Sequence, residues 1–252
     1  MTIPERDIMG GLAKGLAVIE TFSATRPRQS ISEVAAASGL DRATARRCLL
    51  TLAQHGYADY DGKFFTLTPR ILRLGTACLA TMPLPQIVQP ALDQLSEQLG
   101  ESTSVSILDG AEIVYVARAA RQKVMSIALM PGSRLPAYCT SMGRVLLAAL
   151  TDVQAAALLS SAPMTARTPH TRHTVDAVMA ELARVRAQGF AVIDQEVELG
   201  LSSIAVPVLD ARGRVVAALN LGLASSVTAA DQMAARYLGP LTAVQRELAR
   251  ML

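Results

Sequence analysis

Apolar residues recur every three to four positions over residues 8–22, where Ile8, Leu12, Leu16 and Ile19 fall on one side of a predicted helix. After a polar gap, Ser30 and Glu33 stand three apart, ahead of Val34, Ala35 and Ser38 at helical spacing. That is a capping-box pattern, and it predicts a helix beginning near Ile31. Gly39 follows and, lacking a Cβ, can take the positive φ of a helix end. Leu40 anchors the turn, and Asp41 is placed to cap a second helix over residues 42–55. Ala45, Cys48, Leu49 and Leu52 share one face of that helix; Arg42, Thr44, Arg46, Arg47 and Thr51 fall largely on the others. In "YADYDGKFFTL" the period drops to two, and Asp61-Gly62 signals a hairpin with Lys63 at its tip.

This spacing has a geometric meaning. Two helices crossing steeply through a short turn need a small residue at the crossing, met by Ala35, and a glycine in the turn, met by Gly39. They also need apolar anchors on either side, met by Val34, Leu40, Ala45 and Cys48. The arrangement is a helix-turn-helix whose second helix enters a major groove, and the hairpin makes it the winged variant. Arg42 and Thr44 lie near the start of that helix, where base edges are reached; Arg46 and Arg47 can read guanine or clamp phosphate. The competing reading of this segment alone is a helical hairpin with a solvated basic face. The flanking helix and hairpin favour DNA.

Thr68-Pro69 starts a further helix, with Ile71, Leu72 and Leu74 apolar and with Arg70 and Arg73 extending the basic surface. "TMPLPQIVQP" then carries three prolines and places a boundary near Met82. The expected division is residues 1–68 for the winged domain, 69–83 for a linker helix and 84–252 for a second domain. That domain opens with a helix from Gln86 to Leu99. Next come a hairpin turning at Asp109-Gly110, an apolar helix after "AYCTS", and helices over 151–161 and 174–188. "FAVIDQEVELG" reads as a strand and a polar loop. A second long hairpin turns at Asp210 to Gly213, and the terminal helix over 228–252 is expected to bend at Gly239-Pro240. Hairpins broken by helices give an α+β fold, an antiparallel sheet with helices packed on it.

The chain has 252 residues, is 51% hydrophobic and carries a net charge of +3. Residues 1–78 hold 10 Lys and Arg against 7 Asp and Glu, so the whole excess sits in the first third. Only Lys14, Lys63 and Lys123 are lysine. Arginine suits planar bidentate partners such as phosphate, guanine or carboxylate, although a GC-rich genome gives the same bias. The N-terminus lacks the apolar core of a signal peptide, and no run nears the ~18 residues of a membrane span. Cys48, Cys78 and Cys139 are odd in number and lack metal spacing, so the expectation is a reduced chain in the cytoplasm, away from membranes.

Chemistry in the second domain is discounted. His170 and His173 lie in a polar, proline-containing loop, Cys139 has no evident activating partner, and Asp194, Glu196 and Glu198 alternate along what reads as a solvated edge. No metal, no cofactor and no catalysis are expected. Binding is the better reading: Ser133, Arg134, Tyr138, Thr140 and Ser141 cluster where the sheet gives way to a helix, whose free N–H groups and dipole favour an anion. The competing role for Arg134 is a surface ion pair. Arg144, inside the following helix, reads as a structural ion pair.

At this point the chain resembles a known family. "SEVAAASGLDRATARRCLLTLAQHGYADYDGKFFTLTPRILRLG" is similar to the DNA-binding domain of the IclR family of bacterial transcriptional regulators. "AYCTSMGRVLLAAL" and "IDQEVELGLSSIAVPVLDARGRVVAALN" resemble its effector-binding domain. "VYVARAAR…RLPAYCTSMGRVLLA" further resembles the branch that governs aromatic-acid catabolism through the β-ketoadipate pathway, whose members answer to protocatechuate, 4-hydroxybenzoate or adipate-type intermediates. The resemblance implies a winged helix-turn-helix joined by a linker helix to a GAF-like domain. It also implies homodimers, often paired into tetramers, on palindromic double-stranded operators.

By position, the family's effector pocket falls on Ser141 and Met142, Leu201 and Ser203, and Asn220 and Gly222. Ile193 or Asp194 stands where members that bind 2-oxo acids carry an acid, and Asn220 and Gly222 stand where those members carry serines. This departure leaves room for a larger ligand. The expected carboxylate holders are Arg134 and the helix start at Ser141, with Tyr138 beside them and Arg118 as the rival. Met142 and Leu201 would line a ring slot, and Ser203 and Asn220 the far polar end. The alternatives are a regulator answering to another small metabolite, or a domain that turns over its ligand.

Overall fold

The structure, a computed structural model, describes residues 4–23, 25–121 and 129–252. The chain forms two compact units, residues 1–80 and 81–252.

In the first unit α1 (Gly10–Glu20), α2 (Ile31–Ser38) and α3 (Arg42–Gln54) enclose a small core of Val18, Val34, Ala35, Ala45, Leu49 and Phe65. The capping box is present: the Ser30 hydroxyl accepts from the Glu33 N–H, and the Ser30 N–H donates to the Glu33 carboxylate at 2.7 Å. Gly39 closes α2 at φ 69°. The hairpin of β2 (Ala58–Tyr60) and β3 (Phe64–Leu67) turns on Asp61, whose carboxylate accepts from the N–H groups of Lys63 and Phe64. A third strand, β1 (Arg28–Ser30), pairs with β3; at three residues it is too short to show an alternation. Ile8 lies ahead of α1 and is exposed, as are Leu12 and Leu16, so Val18 is the residue that α1 buries.

The linker departs from its sequence reading. A 3-10 turn (Pro69–Ile71) leads into α4 (Leu72–Thr81), and α5 (Pro83–Leu99) begins at the prolines rather than after them. Pro83 and Pro85 occupy the first turn, where a backbone N–H has no intrahelical partner to lose.

The second unit is built on a six-stranded sheet, antiparallel throughout, in the order β6-β5-β4-β9-β8-β7. Its strands are β4 (Ser102–Asp109), β5 (Glu112–Ala119), β6 (Arg134–Pro136), β7 (Ala191–Asp194), β8 (Leu201–Leu209) and β9 (Val215–Ala224). One face packs on α5 and α9 (Met233–Leu248) through Val105, Ile204, Leu219 and Leu221. The other packs on α6 (Ser141–Ala148), backed by α8 (Val175–Gln188), through Ile113, Ala205, Ala218 and Leu147. α7 (Asp152–Ser160) packs on α8. The terminal α-helix starts at Met233, after a 3-10 turn (Ala230–Gln232), and runs through Gly239 and Pro240.

Candidate functional site

On α3, Asp41 caps the helix by accepting from the Thr44 N–H at 2.8 Å and from its hydroxyl at 2.7 Å. Thr44 is thereby buried, and its oxygen is committed to the cap instead of facing outward as the helical wheel suggests. Arg42, Arg46, Arg47 and Thr51 are exposed along the same helix; the Thr51 hydroxyl donates back to the Arg47 carbonyl. Lys63 is exposed at the wing tip, its ammonium 5.0 Å from the centre of the Phe64 ring. Arg28, not among the sequence-predicted DNA residues, also lies over that ring and pairs with Asp61.

In the second unit a cavity opens between the sheet and the start of α6. Its floor is a polar stripe that strand pairing assembles: Arg118 lies opposite Ser104, Ser104 opposite Asn220, and Gly222 between Ser102 and Ser203. Ser141 and Met142 border it from α6, Leu201 from β8 and Val197 from the β7–β8 loop, with Tyr115, Leu129 and Leu135 supplying apolar surface. Seven of the residues expected to hold an effector therefore meet here: Arg118, Ser141, Met142, Leu201, Ser203, Asn220 and Gly222. Arg134 and Tyr138 do not. Arg134 is exposed on β6 and bound to Asp109 at 2.8 Å and Glu112 at 2.7 Å, the surface ion pair that was its competing role. Tyr138 is buried, its hydroxyl donating to the Thr165 carbonyl and accepting from the Thr165 N–H. Ile193 and Asp194 are outside the lining as well.

No carboxylate lines the cavity among the described residues, while one guanidinium does. Arg118 donates to the Ser104 hydroxyl at 2.9 Å, and its buried Nε has no partner. The Oδ1 of Asn220 is likewise buried without a partner. Burial pulls the Arg118 guanidinium below its usual value, yet not out of the cationic form that arginine keeps in proteins. Burial pushes the Tyr115 phenol up to about 12, so it is neutral. The Ser141 and Ser203 hydroxyls bond to each other at 2.8 Å. Serines 102, 104 and 106 alternate along β4 and so share a face, a sequence signal for the polar stripe.

The cavity is tight. About 40 Å³ is free, against the ~150 Å³ of an apolar cavity that holds benzene. A ring can enter only as the lining gives way, and Leu129 and Leu201 are the half-buried apolar side chains of that lining.

Glu196 corrects the sequence reading outright. It is buried, not solvated: its carboxylate accepts from Arg144 at 2.6 Å, from the Arg172 guanidinium at 2.7 Å and from the Arg172 N–H at 2.9 Å. His170 and His173, both exposed, lie on the loop that backs it, and no metal-binding cluster occurs among the described residues. Cys139 is packed, and burial pushes its thiol up to about 11.

A winged helix-turn-helix in one unit and, in the other, a cavity lined by one guanidinium fit a DNA-binding regulator with a ligand-sensing domain. The chain belongs to the IclR family of bacterial transcriptional regulators and is no enzyme. Residues 11–62 match the IclR helix-turn-helix domain, and residues 76–250 match the bacterial transcriptional regulator IclR C-terminal domain. It is 43% identical over 247 residues to the Pca regulon regulatory protein of Pseudomonas putida, covering 98% of this chain and 85% of that one. It is 38% identical over 223 residues to the p-hydroxybenzoate hydroxylase transcriptional activator of Acinetobacter baylyi, covering 86% and 82%. Among solved structures it is similar to the PobR inducer-binding domain from Acinetobacter, a double mutant in complex with 3-hydroxybenzoic acid. That likeness has a TM-score of 0.61 and 30% identity, over 67% of this chain and 98% of the other. Among the described residues no single helix is long and apolar enough to cross a membrane.

Proposed function

We propose that this regulator controls aromatic-acid catabolism of the β-ketoadipate type, answering to a small aromatic or dicarboxylic acid in the cavity. The observation that carries the reading is Arg118, a cation facing a cavity with no carboxylate among its described lining residues. Its idle Nε suits a carboxylate, and the idle amide oxygen of Asn220 suits a hydroxyl. The carboxylate role therefore passes from Arg134 to Arg118, with Ser104 and the N–H groups at the start of α6 beside it. Met142, Leu201 and Val197 flank the ring, and Ser203 and Asn220 meet the polar end. The name of the p-hydroxybenzoate hydroxylase activator and the 3-hydroxybenzoate complex support an aromatic acid. Calorimetric titration with protocatechuate, 4-hydroxybenzoate and β-ketoadipate tests this: at least one binds, and the absence of heat from all three overturns the pathway reading.

On DNA, Arg42, Arg46 and Arg47 read the major groove, with Thr51 and Lys63 on backbone and with Thr44 as part of their cap. If the Arg46 fork meets a guanine, Arg46→Ala costs about 1–3 kcal/mol of specific binding; if it clamps a phosphate, the salt slope falls by about one. Competition binding at several salt concentrations separates the two. Unchanged affinity in both Arg46→Ala and Arg47→Ala refutes this reading helix.

The regulator works in the cytoplasm as a homodimer or a pair of dimers, each winged domain taking one half-site. The exposed Met9, Leu12 and Leu16 offer an apolar face for pairing. Sedimentation with and without operator checks this; a monomer in both contradicts it.

A further inference from the structure

Two walls of the effector cavity belong to elements outside the strands of the sheet. One is the start of α6, which brings Ser141 and Met142. The other is the β7–β8 loop, which brings Val197. Three residues after Ser141 comes Arg144, and one residue before Val197 comes Glu196. Both are buried, with side chains 1% exposed, and they meet at 2.6 Å.

The rest of the network is directional. Arg144 Nε donates to the Tyr138 carbonyl, which ties the pair to the turn that precedes α6. On the outer side Arg172 grips the second Glu196 oxygen and reaches Glu181 of α8 at 3.2 Å. The loop backbone is held by further bonds: Thr168 donates to the Gln195 carbonyl and Thr171 to the Glu196 carbonyl, each at 2.6 Å, and Arg167 to that of Val197 at 3.2 Å. Gln195 sits at φ 56°, in the left-handed region that a non-glycine residue takes only when its surroundings hold it there.

We infer that the Arg144–Glu196 pair is a strut that fixes the Val197 wall against α6, making Arg144 and Glu196 positioning residues for effector binding. The inference rests on the cavity being the effector site. It follows from what a buried ion pair does and does not supply. Such pairs contribute little net stability relative to apolar residues of like volume, but they define one geometry. Here the geometry they define is the separation between two cavity walls. A ligand entering a cavity with one wall already fixed has less to order than one that must fix both. The strut thus leaves the Leu129 side as the one that yields, and the Val197 side as the one that does not move.

Three variants separate positioning from simple stability. Glu196→Gln keeps the shape but removes the carboxylate 2.6 Å from Arg144, leaving Glu181, at 3.8 Å, as its remaining counter-charge. Arg172→Ala removes only the exposed outer arm and keeps the inner pair. In Arg144→Met/Glu196→Leu, both charges are replaced by apolar side chains. Hydrogen exchange on the free proteins reads the loop directly: in Glu196→Gln the amides over 194–201 exchange at least ten-fold faster, with those of α9 unchanged. Calorimetry with 3-hydroxybenzoate, 4-hydroxybenzoate, protocatechuate and β-ketoadipate then shows, for whichever acid binds, roughly ten-fold weaker binding in Glu196→Gln and a smaller loss in Arg172→Ala. The double variant recovers the wild-type melting temperature but not the affinity. The strut is overturned if exchange over 194–201 is unchanged, or if the double variant binds as wild type does. If no acid binds the wild type, the effector reading fails, and exchange alone decides the strut.

Discussion

Arg118→Ala weakens binding of the acid roughly 10- to 150-fold, the equivalent of about 1.5–3 kcal/mol for a charge-assisted hydrogen bond removed from a sheltered site. Arg134→Ala, by contrast, leaves the affinity within error of wild type. The contrast comes from the partners. Arg134 is exposed and already bound to Asp109 and Glu112, pairs of the kind that contribute about 0–1 kcal/mol. Arg118 has one neutral hydroxyl and a buried Nε with nothing to donate to. Parallel titrations of the two variants decide it. A loss in Arg134→Ala with none in Arg118→Ala would return the carboxylate to the sheet edge and empty the cavity of its role.

Gly143→Ala destabilises the sensing unit by about 3 kcal/mol, the upper end of ordinary overpacking. Gly143 lies in the first turn of α6, at an ordinary helical φ, so conformational freedom is not the reason. A Cβ there would overlap the carbonyl oxygen and Cα of Ala137 and press on the Thr140 hydroxyl. Those are backbone atoms and a capping group: the Thr140 oxygen accepts from the Gly143 N–H at 3.1 Å. No flexible chain end can swing aside, so the whole turn before α6 must shift. For a unit of this size the melting temperature falls by roughly 6–12 °C. Effector affinity falls with it, because Ser141 and Met142 ride on the same turn. Thermal unfolding measures the first effect; a melting temperature within about 1 °C of wild type sinks the close-approach argument.

The winged domain was open to reading because its information is local. Ser30 with Glu33, Gly39, Asp41 and Asp61 with Gly62 each act on neighbours a few residues away, and each does in the structure what its spacing implies. Thr44 shows the limit: a helical wheel places it outward, but the same cap that starts the helix draws its hydroxyl inward. The cavity depends on pairings over long separations. That Arg118, Ser104 and Asn220 lie in one line follows only from the order β5-β4-β9, which alternation along single strands does not determine. Arg134 and Ser141 are neighbours in sequence, yet one lies on an edge strand among surface carboxylates and the other at a helix start beside the cavity. Glu196 was hidden for a related reason. A carboxylate among polar residues reads as solvated until Arg144, 52 positions earlier, is seen to reach it.

The small free volume has a kinetic consequence. When a cavity must widen before it can be filled, the rate of filling is set by the protein's own opening once ligand is plentiful. Departure waits on the same motion, so a bound acid outlasts brief dips in its supply. With an acid in this cavity, occupancy would follow its concentration with a lag set by that opening.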